Sequence, residues 1–213
     1  MYPPDRPFTP TSTALVMIEF QREWLAPDGK LQAVVEDRSQ FDAAVAAART
    51  LLATARENGL AIAHAGLRFQ EGYPELGSGG FGLRKAIRTF RTFPASSPAS
   101  DFADGFEPRE NEFLVQGRAG SSAFAGSNLD IWLRNNRIDT VILAGFALHV
   151  CVESTLRAAH DLGYEAYVAE DATAAFTSPQ RRHVLTHVVP HFGQAVTNTN
   201  LVPMLENRLE AAQ

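Results

Sequence analysis

Three residues of this chain could act together on a substrate: a carboxylate, a guanidinium and a thiol, at Glu19, Arg118 and Cys151. Cys151 is the only cysteine among the 213 residues, so it forms no disulfide within the chain and is a candidate nucleophile. Glu19 interrupts the apolar run MIEF, where a carboxylate is costly to bury unless it is paired. A thiol with an acid and a cation beside it suits nucleophilic attack with acid–base assistance.

The elements that must position these residues alternate along the chain between strand-like and helix-like patterns. Short apolar runs predict six strands, at 13–20, 60–66, 113–116, 139–145, 164–170 and 194–196. Because helical patterns lie between most of them, we expect βαβ units in a three-layer α/β/α fold with a mostly parallel six-stranded, Rossmann-like sheet. The length fits a single domain over residues 1–213, with residues 1–12 as an N-terminal arm.

Helix boundaries are indicated by capping residues. Ser127, followed three residues later by Asp130, predicts a helix N-terminus, and Ser178 with Pro179 predicts another. Further helices are expected before Gly59, over about 150–162, and from about residue 199 onward.

Residues 67–112 have no clear periodicity and are rich in glycine, proline and serine, which predicts a long loop. Within it, GSGGFG at 77–82 satisfies the spacing of a dinucleotide-binding motif. That motif works directly between a strand and a helix, whereas the nearest predicted strand ends about ten residues earlier. We therefore expect a flexible segment here, and no nucleotide cofactor.

All three reactive residues are placed at the carboxyl ends of predicted strands, the edge where parallel sheets collect ligands. Cys151 would lie in the first turn of the helix after strand 139–145, where free N–H groups and the helix dipole favour the thiolate. Position alone leaves a buried structural cysteine equally open, because free cysteines are often core residues.

Composition excludes several classes of function. The net charge of −5 argues against a nucleic-acid partner, and no apolar run reaches the roughly 20 residues of a membrane span. The first residues show neither a signal nor a transit peptide, and a single cysteine fits a cytoplasmic location.

After the second strand His64 has no neighbouring ligand, so no metal site is expected. His149, two residues before Cys151, is a possible partner of the thiol.

Longer motifs resemble the isochorismatase-like cysteine hydrolases, the superfamily of nicotinamidases and N-carbamoylsarcosine amidohydrolases. The segments that carry the resemblance are TALVMIEFQREW, GRAGSSAFAGSNLDIWL and, most specifically, TVILAGFALHVCVESTLRAAHDLGYEAYVAEDATA. In that family an Asp, a Lys and a Cys are catalytic, and their positions fall on Glu19, Arg118 and Cys151. The chain's lysines, Lys30 and Lys85, lie elsewhere. Two of the three residues therefore depart from the family pattern.

The resemblance implies hydrolysis of an amide or ureido C–N bond in a small molecule through a thioester, with Glu19 as base and Arg118 as cation. It also implies a cis peptide at Phe146–Ala147, an oxyanion hole built from the N–H groups of Ala147 and Cys151, and a homo-oligomer, a dimer or tetramer. The altered residues leave open a catalytically silent protein that binds a small molecule or a protein partner.

Aromatic and basic residues near these positions are candidates for substrate binding. Pocket walls are expected from Trp24, Phe124 and Phe146. The long loop carries four arginines that could receive an acidic substrate, of which Arg68 is the first; the others are Arg84, Arg88 and Arg91.

Overall fold

The computed structural model describes residues 11–206, which form one six-stranded sheet with helices on both faces. Every strand pairing is parallel, and the strand order is β3-β2-β1-β4-β5-β6. This confirms the predicted three-layer α/β fold. The strands are β1 (Thr13–Ile18), β2 (Ala61–Ala65), β3 (Phe113–Leu114), β4 (Thr140–Phe146), β5 (Glu165–Ala174) and β6 (Gln194–Val196).

Two apolar cores lie on opposite faces of the sheet because side chains alternate along each strand. In β1, Leu15 and Met17 face one core, whereas Val16 and Ile18 face the other. The first core is covered largely by α2 and α8, and the second by α4, α5 and α7. The helices are α1 (Arg22–Leu25), α2 (Arg38–Glu57), α3 (Gly82–Phe90), α4 (Leu129–Asn135), α5 (Glu153–Asp161), α6 (Ser178–His183), α7 (Val189–Phe192) and α8 (Asn198–Glu206).

Region 67–112 is not one long loop, as its sequence predicts, because it contains α3. GSGGFG leads into this helix, which begins at Gly82. The motif nevertheless stands well past the end of β2, as the sequence indicates.

Two predicted helix starts are displaced by one residue. Asn128 is the N-cap of α4, while the predicted partner Asp130 bonds instead to Arg134 and to the Tyr164 hydroxyl. In α6 the N-cap is Thr177, because it forms a reciprocal capping box with Gln180.

The predicted N-terminal arm, 1–12, lies mostly outside the described residues. Between residues 11 and 206, none of the helices combines the length and apolar character needed to cross a bilayer.

The site is positioned by the central strands, where the chain leaves β1 and β4 toward opposite sides of the sheet. Such a switch point opens a crevice at the carboxyl ends of the strands. Gly145 in β4 pairs with Ile18 in β1 and has a φ of 132°. A Cβ at this glycine would lie 2.0 Å from the Ile18 carbonyl oxygen, so only glycine allows the strands this close approach. The segments after β1 and β4 are thereby brought together.

Candidate active site

Cys151 lies directly after β4, in a π-helical turn over Leu148–Val152 that continues into α5. The Ala147 carbonyl oxygen accepts hydrogen bonds of 3.0 Å from the N–H groups of Val150 and Cys151. The Phe146–Ala147 peptide is cis, as the resemblance implies. The cysteine is 5 % exposed, and what exposure remains is toward a cavity described below.

Glu19 follows β1 with a left-handed backbone, at a φ of 60°, which is uncommon for a residue other than glycine. Its N–H donates to the Ala65 carbonyl oxygen at the end of β2, 3.1 Å away. Both carboxylate oxygens accept hydrogen bonds, one from Arg118 Nη2 at 2.6 Å and the other from Trp24 Nε1 at 2.9 Å. A buried carboxylate with a cation and a second donor is well compensated.

Arg118 is held by the backbone around it. Its Nη1 donates to the Ala65 carbonyl at 2.8 Å, its Nη2 to the Ser121 carbonyl at 2.6 Å, and its Nε to the Gly120 carbonyl at 3.2 Å. Because the Ala65 carbonyl also accepts from the Glu19 N–H, the end of β2 fixes both members of the ion pair.

The thiol is close enough to Glu19 and Arg118 for both to affect its pKa. Burial raises the pKa of Cys151 well above its ordinary value of 9.0, the Glu19 charge raises it further, and Arg118 lowers it by less. The direction of this shift is opposite to the sequence expectation, in which the helix N-terminus favours the thiolate.

A cavity of about 180 Å³ opens onto Glu19, Ala147 and Cys151. Its remaining walls come from α1, the segment at 31–34, the segment after β2, α3 and the residues just after it, the π-helical turn, and the region following β5. They are Trp24, Leu31, Val34, Leu67, Leu83, Ala86, Ile87, Phe90, Thr92, Phe93, Val150 and Phe176.

Of the four residues predicted to bind substrate, Trp24 lines this cavity and the other three do not. Phe146 is fully buried in the core against Phe41, and Phe124 stacks on Tyr164 on the far side of the sheet. Arg68 forms an exposed ion pair with Asp101 at 2.7 Å. A position near a strand end does not by itself determine the direction in which the side chain points.

The two histidines singled out in the sequence make other contacts. The His149 ring packs edge-on against Phe176, with ring centroids 4.5 Å apart, and is not among the residues that line the cavity. His64 Nε2 lies 2.7 Å from Glu112 Oε2. Within residues 11–206 no three His, Cys, Asp or Glu side chains gather as metal ligands would.

Two positioning residues, Gln21 and Glu23, are missed by the sequence reasoning. The buried Gln21 amide bonds the N–H and carbonyl of Leu67 at 2.8 Å each and the Ser100 carbonyl at 2.6 Å. Glu23, also buried, accepts from the N–H groups of Lys30 and Phe93 at 3.3 and 3.1 Å. They tie together segments that form the cavity walls. The available signal is two polar residues at i+2 and i+4 from Glu19, just beyond an apolar strand.

The fold and the thiol position define a parallel α/β protein with a cysteine-containing site at the switch point of its sheet. The chain matches the Isochorismatase domain over residues 13–200, and it belongs to that family.

Individual relatives agree with this assignment. Maleamate amidohydrolase of Pseudomonas putida is 28 % identical over 194 residues, which is 91 % of this chain and 87 % of the relative. The crystal structure of a cysteine hydrolase from Pseudomonas syringae pv. phaseolicola has a TM-score of 0.78 at 21 % identity, covering 97 % of this chain and 99 % of the other. N-carbamoylsarcosine amidase from Thermoplasma acidophilum gives a TM-score of 0.67 at 26 % identity, covering 87 % and 95 %.

Proposed function

We propose that this chain is a cysteine-dependent hydrolase that cleaves an amide or ureido C–N bond in a small molecule. The observation that carries the proposal is that Cys151 and Glu19 line one cavity, while Arg118 is bound to Glu19 behind it. The names of two relatives, maleamate amidohydrolase and N-carbamoylsarcosine amidase, support a reaction at a C–N bond.

In the proposed reaction Glu19 takes the thiol proton as Cys151 Sγ attacks the substrate carbonyl carbon. The resulting tetrahedral oxygen accepts hydrogen bonds from the N–H groups of Ala147 and Cys151. Collapse breaks the C–N bond, and the amine or ammonia leaves with the proton from Glu19. Water, deprotonated by Glu19, then hydrolyses the thioester and restores the thiol.

The raised pKa of Cys151 suits this sequence of steps. A neutral thiol needs a base at the moment of attack, and Glu19 is the carboxylate in contact with it. The Cys151 N–H already donates to the Ala147 carbonyl at 3.0 Å, so it would share its proton with the oxyanion.

Arg118 holds and neutralises Glu19 rather than transferring a proton, because a guanidinium is not deprotonated in proteins. Its charge also lowers the pKa of the Cys151 thiol, which favours the developing thiolate. Glu19 and Arg118 would thus fill the acid and cation roles that the family gives to the smaller Asp and Lys side chains.

The test is ammonia release from a panel of amides and ureides by the purified chain and by Cys151→Ala. We expect release by the wild-type chain and a loss of at least about 10⁴-fold in kcat in the variant. Equal rates for the two proteins on every active substrate would refute cysteine catalysis. Circular dichroism of the variant verifies that it is folded.

A catalytically silent protein that binds a small molecule or a protein partner is the second candidate. The observation in its favour is the same burial that raises the Cys151 pKa, since an inert structural cysteine has that property too. Absence of turnover on the whole panel, with ligand binding retained, would support it.

We further propose a cytoplasmic homo-oligomer, a dimer or tetramer, that requires no cofactor. The family resemblance supports assembly, as do Phe81 and Phe90, which are 90 % and 67 % exposed around α3. Light scattering coupled to size exclusion tests this, and a monomer at micromolar concentration would contradict it.

A further inference from the structure

The cavity at Cys151 is polar at one end and apolar along the rest of its walls, which bears on the substrate it can bind. Glu19 and Cys151 form its reactive end, and Thr92 is the one other polar side chain in its lining. Every remaining wall residue is aliphatic or aromatic, and Trp24, the exception with a polar atom, already donates that N–H to Glu19. The part of a substrate beyond the scissile carbonyl therefore contacts an apolar surface.

No lysine, arginine or histidine in the described part of the chain lines this cavity. Three cations of the described chain make other contacts: Arg118 binds Glu19, Arg68 binds Asp101, and Arg88 donates to the Gly77 carbonyl. Arg84 lines a separate small cleft beside Gly120 and Ser121. None of the four loop arginines that were expected to receive an acidic substrate, Arg68, Arg84, Arg88 and Arg91, is among the residues that line this cavity.

The charge of Glu19 disfavours a second anion in the cavity. Arg118 is the counter-ion of Glu19, and no cation among residues 11–206 lines the cavity, so a second carboxylate there would lose its hydration without gaining a partner. The cavity thus excludes anions both by solvation and by charge.

The volume of the cavity indicates the size of group that it can surround. The cavity volume is about 180 Å³, close to the roughly 150 Å³ of apolar protein cavities that bind benzene. A group of about the size of a phenyl ring therefore fills the part of the cavity beside Cys151, and a larger group would extend past Leu83 and Phe90 toward solvent.

We infer that the acyl group of the substrate is an uncharged hydrocarbon no larger than about a phenyl ring, so that the enzyme acts on small apolar amides and rejects those that carry a carboxylate. This inference rests on the proposed function, because it describes the substrate of the same Cys151 site.

The experiment compares two amides of matched shape. In 4-methylpentanamide an isopropyl group occupies the place of the carboxylate of succinamate. We expect kcat/KM for ammonia release to be larger for 4-methylpentanamide by on the order of a hundredfold or more, since the carboxylate must be desolvated without a partner. Succinamate turned over equally well or better would overturn the inference and leave the hydrolase proposal standing.

A charge-introducing variant sharpens the test. Leu83, 41 % exposed on α3, lines the cavity and can accept a long side chain without disturbing the core. In Leu83→Arg the ratio of kcat/KM for 4-methylpentanamide to that for succinamate should fall by about fivefold. Ile131→Arg is the matched control, because Ile131 is 64 % exposed on α4 and does not line the cavity; the preference should not change there. Equal changes of this ratio in the two variants would count against binding of the substrate in this cavity.

Binding to Cys151→Ala, measured by calorimetry, separates this inference from the hydrolase proposal. If the wild-type chain hydrolyses neither amide but the variant binds 4-methylpentanamide in preference to succinamate, the hydrolase proposal fails for these compounds, whereas the inferred preference of the cavity for an uncharged group holds. Binding that favours succinamate, equal binding, or binding of neither amide would overturn the inference.

Discussion

Two glutamates with largely buried side chains each pair with an arginine in this chain, and the two pairs differ in what surrounds them. Glu112 Oε1 accepts from Arg56 Nε at 2.7 Å, and its Oε2 accepts from Arg56 Nη2 and from the Arg109 N–H at 2.9 Å each. His64 Nε2 lies 2.7 Å from the same Oε2. This carboxylate is enclosed by its partners.

Glu19 also pairs with an arginine, but it faces a cavity, which distinguishes it from Glu112. It accepts one hydrogen bond at each oxygen, from Arg118 and from Trp24, and it faces a cavity that also contains Cys151. The comparison teaches that a buried Glu–Arg pair is not in itself a sign of catalysis. Access to a cavity and to a nucleophile distinguishes the two pairs.

Their pKa values follow from these contacts where a shift is clear. Burial raises the pKa of Glu112, but the hydrogen bonds from Arg56, the Arg109 N–H and His64 together outweigh it and lower the pKa from 4.5 to about 2. Glu112 is therefore ionised at neutral pH and well below it.

The largest expected effect that separates the pairs is on catalysis. Glu19→Gln keeps the size of the side chain but removes the base, so kcat on an amide substrate should fall by about 10²–10⁴. Glu112→Gln, the matched control, should keep kcat within about threefold of wild type in the folded protein. Ammonia release measures both, and similar losses in the two variants would remove the functional distinction between the pairs.

The enclosed Glu112–Arg56 pair should contribute to the free energy of unfolding. Glu112→Gln leaves Arg56 without its anion, in a cluster whose side chains are 4–12 % exposed at Glu112 and Arg56, so the free energy of unfolding should fall by roughly 3 kcal/mol. Urea denaturation measures it. A decrease below about 1 kcal/mol would mean that the enclosed pair contributes no more than a surface ion pair.

Acid should act on the enclosed cluster in two pH windows. Burial lowers the pKa of His64 below its ordinary value of 6.5, so the unfolded chain takes this proton first and stability falls as the pH drops below 6.5. Glu112, with its pKa lowered from 4.5 to about 2, stabilises the fold above pH 4.5, and that contribution is lost between pH 4.5 and 2.

Each group can contribute a slope of at most about 1.4 kcal/mol per pH unit. Urea denaturation of wild type and His64→Gln at several pH values between 7.5 and 4 checks this. The variant should lose less stability than wild type between pH 7 and 5, and parallel curves would exclude His64 as the titrating group.

The smallest effect tests the second donor to Glu19. Trp24→Phe keeps a ring in the cavity wall but removes the N–H that donates to Glu19 Oε2 at 2.9 Å. We expect kcat to fall by about fivefold, because a less firmly held carboxylate is less well aligned with the thiol proton. Trp132→Phe is the control, since Trp132 stacks on Phe113 at the other edge of the sheet and its ring packing is retained. A change in KM alone would assign Trp24 to substrate contact rather than to positioning.

Much of the fold could be predicted from the sequence, because strand and helix patterns are local. The apolar runs indicate all six strands, and the predicted helix that ends before Gly59 corresponds to α2, between β1 and β2. The helix α3 was missed because its glycine-rich approach and basic face conceal a helical stretch with no buried residue. Helix starts at Asn128 and Thr177 were displaced by one residue, since neighbouring polar residues compete as caps.

The candidate site was predicted less completely. Residue types and strand ends indicated Glu19, Arg118 and Cys151 as a group, but not the protonation of the thiol, which depends on burial. Phe146 was expected in the pocket and lies instead in a core, because the register of β4 determines which face of the sheet its side chain occupies. Phe124, in the segment before α4, packs against the other core.

The sequence by itself determined the inventory: one cysteine, an acid at the end of the first strand and an arginine where the family has a lysine. Only the tertiary structure decided that Glu19 and Arg118, 99 positions apart, meet at 2.6 Å, and that an apolar cavity without a cation opens beside them. The physical reason is that residue identity is a local property. Desolvation, charge pairing and the shape of a cavity are set by long-range packing of segments that only the folded sheet brings together.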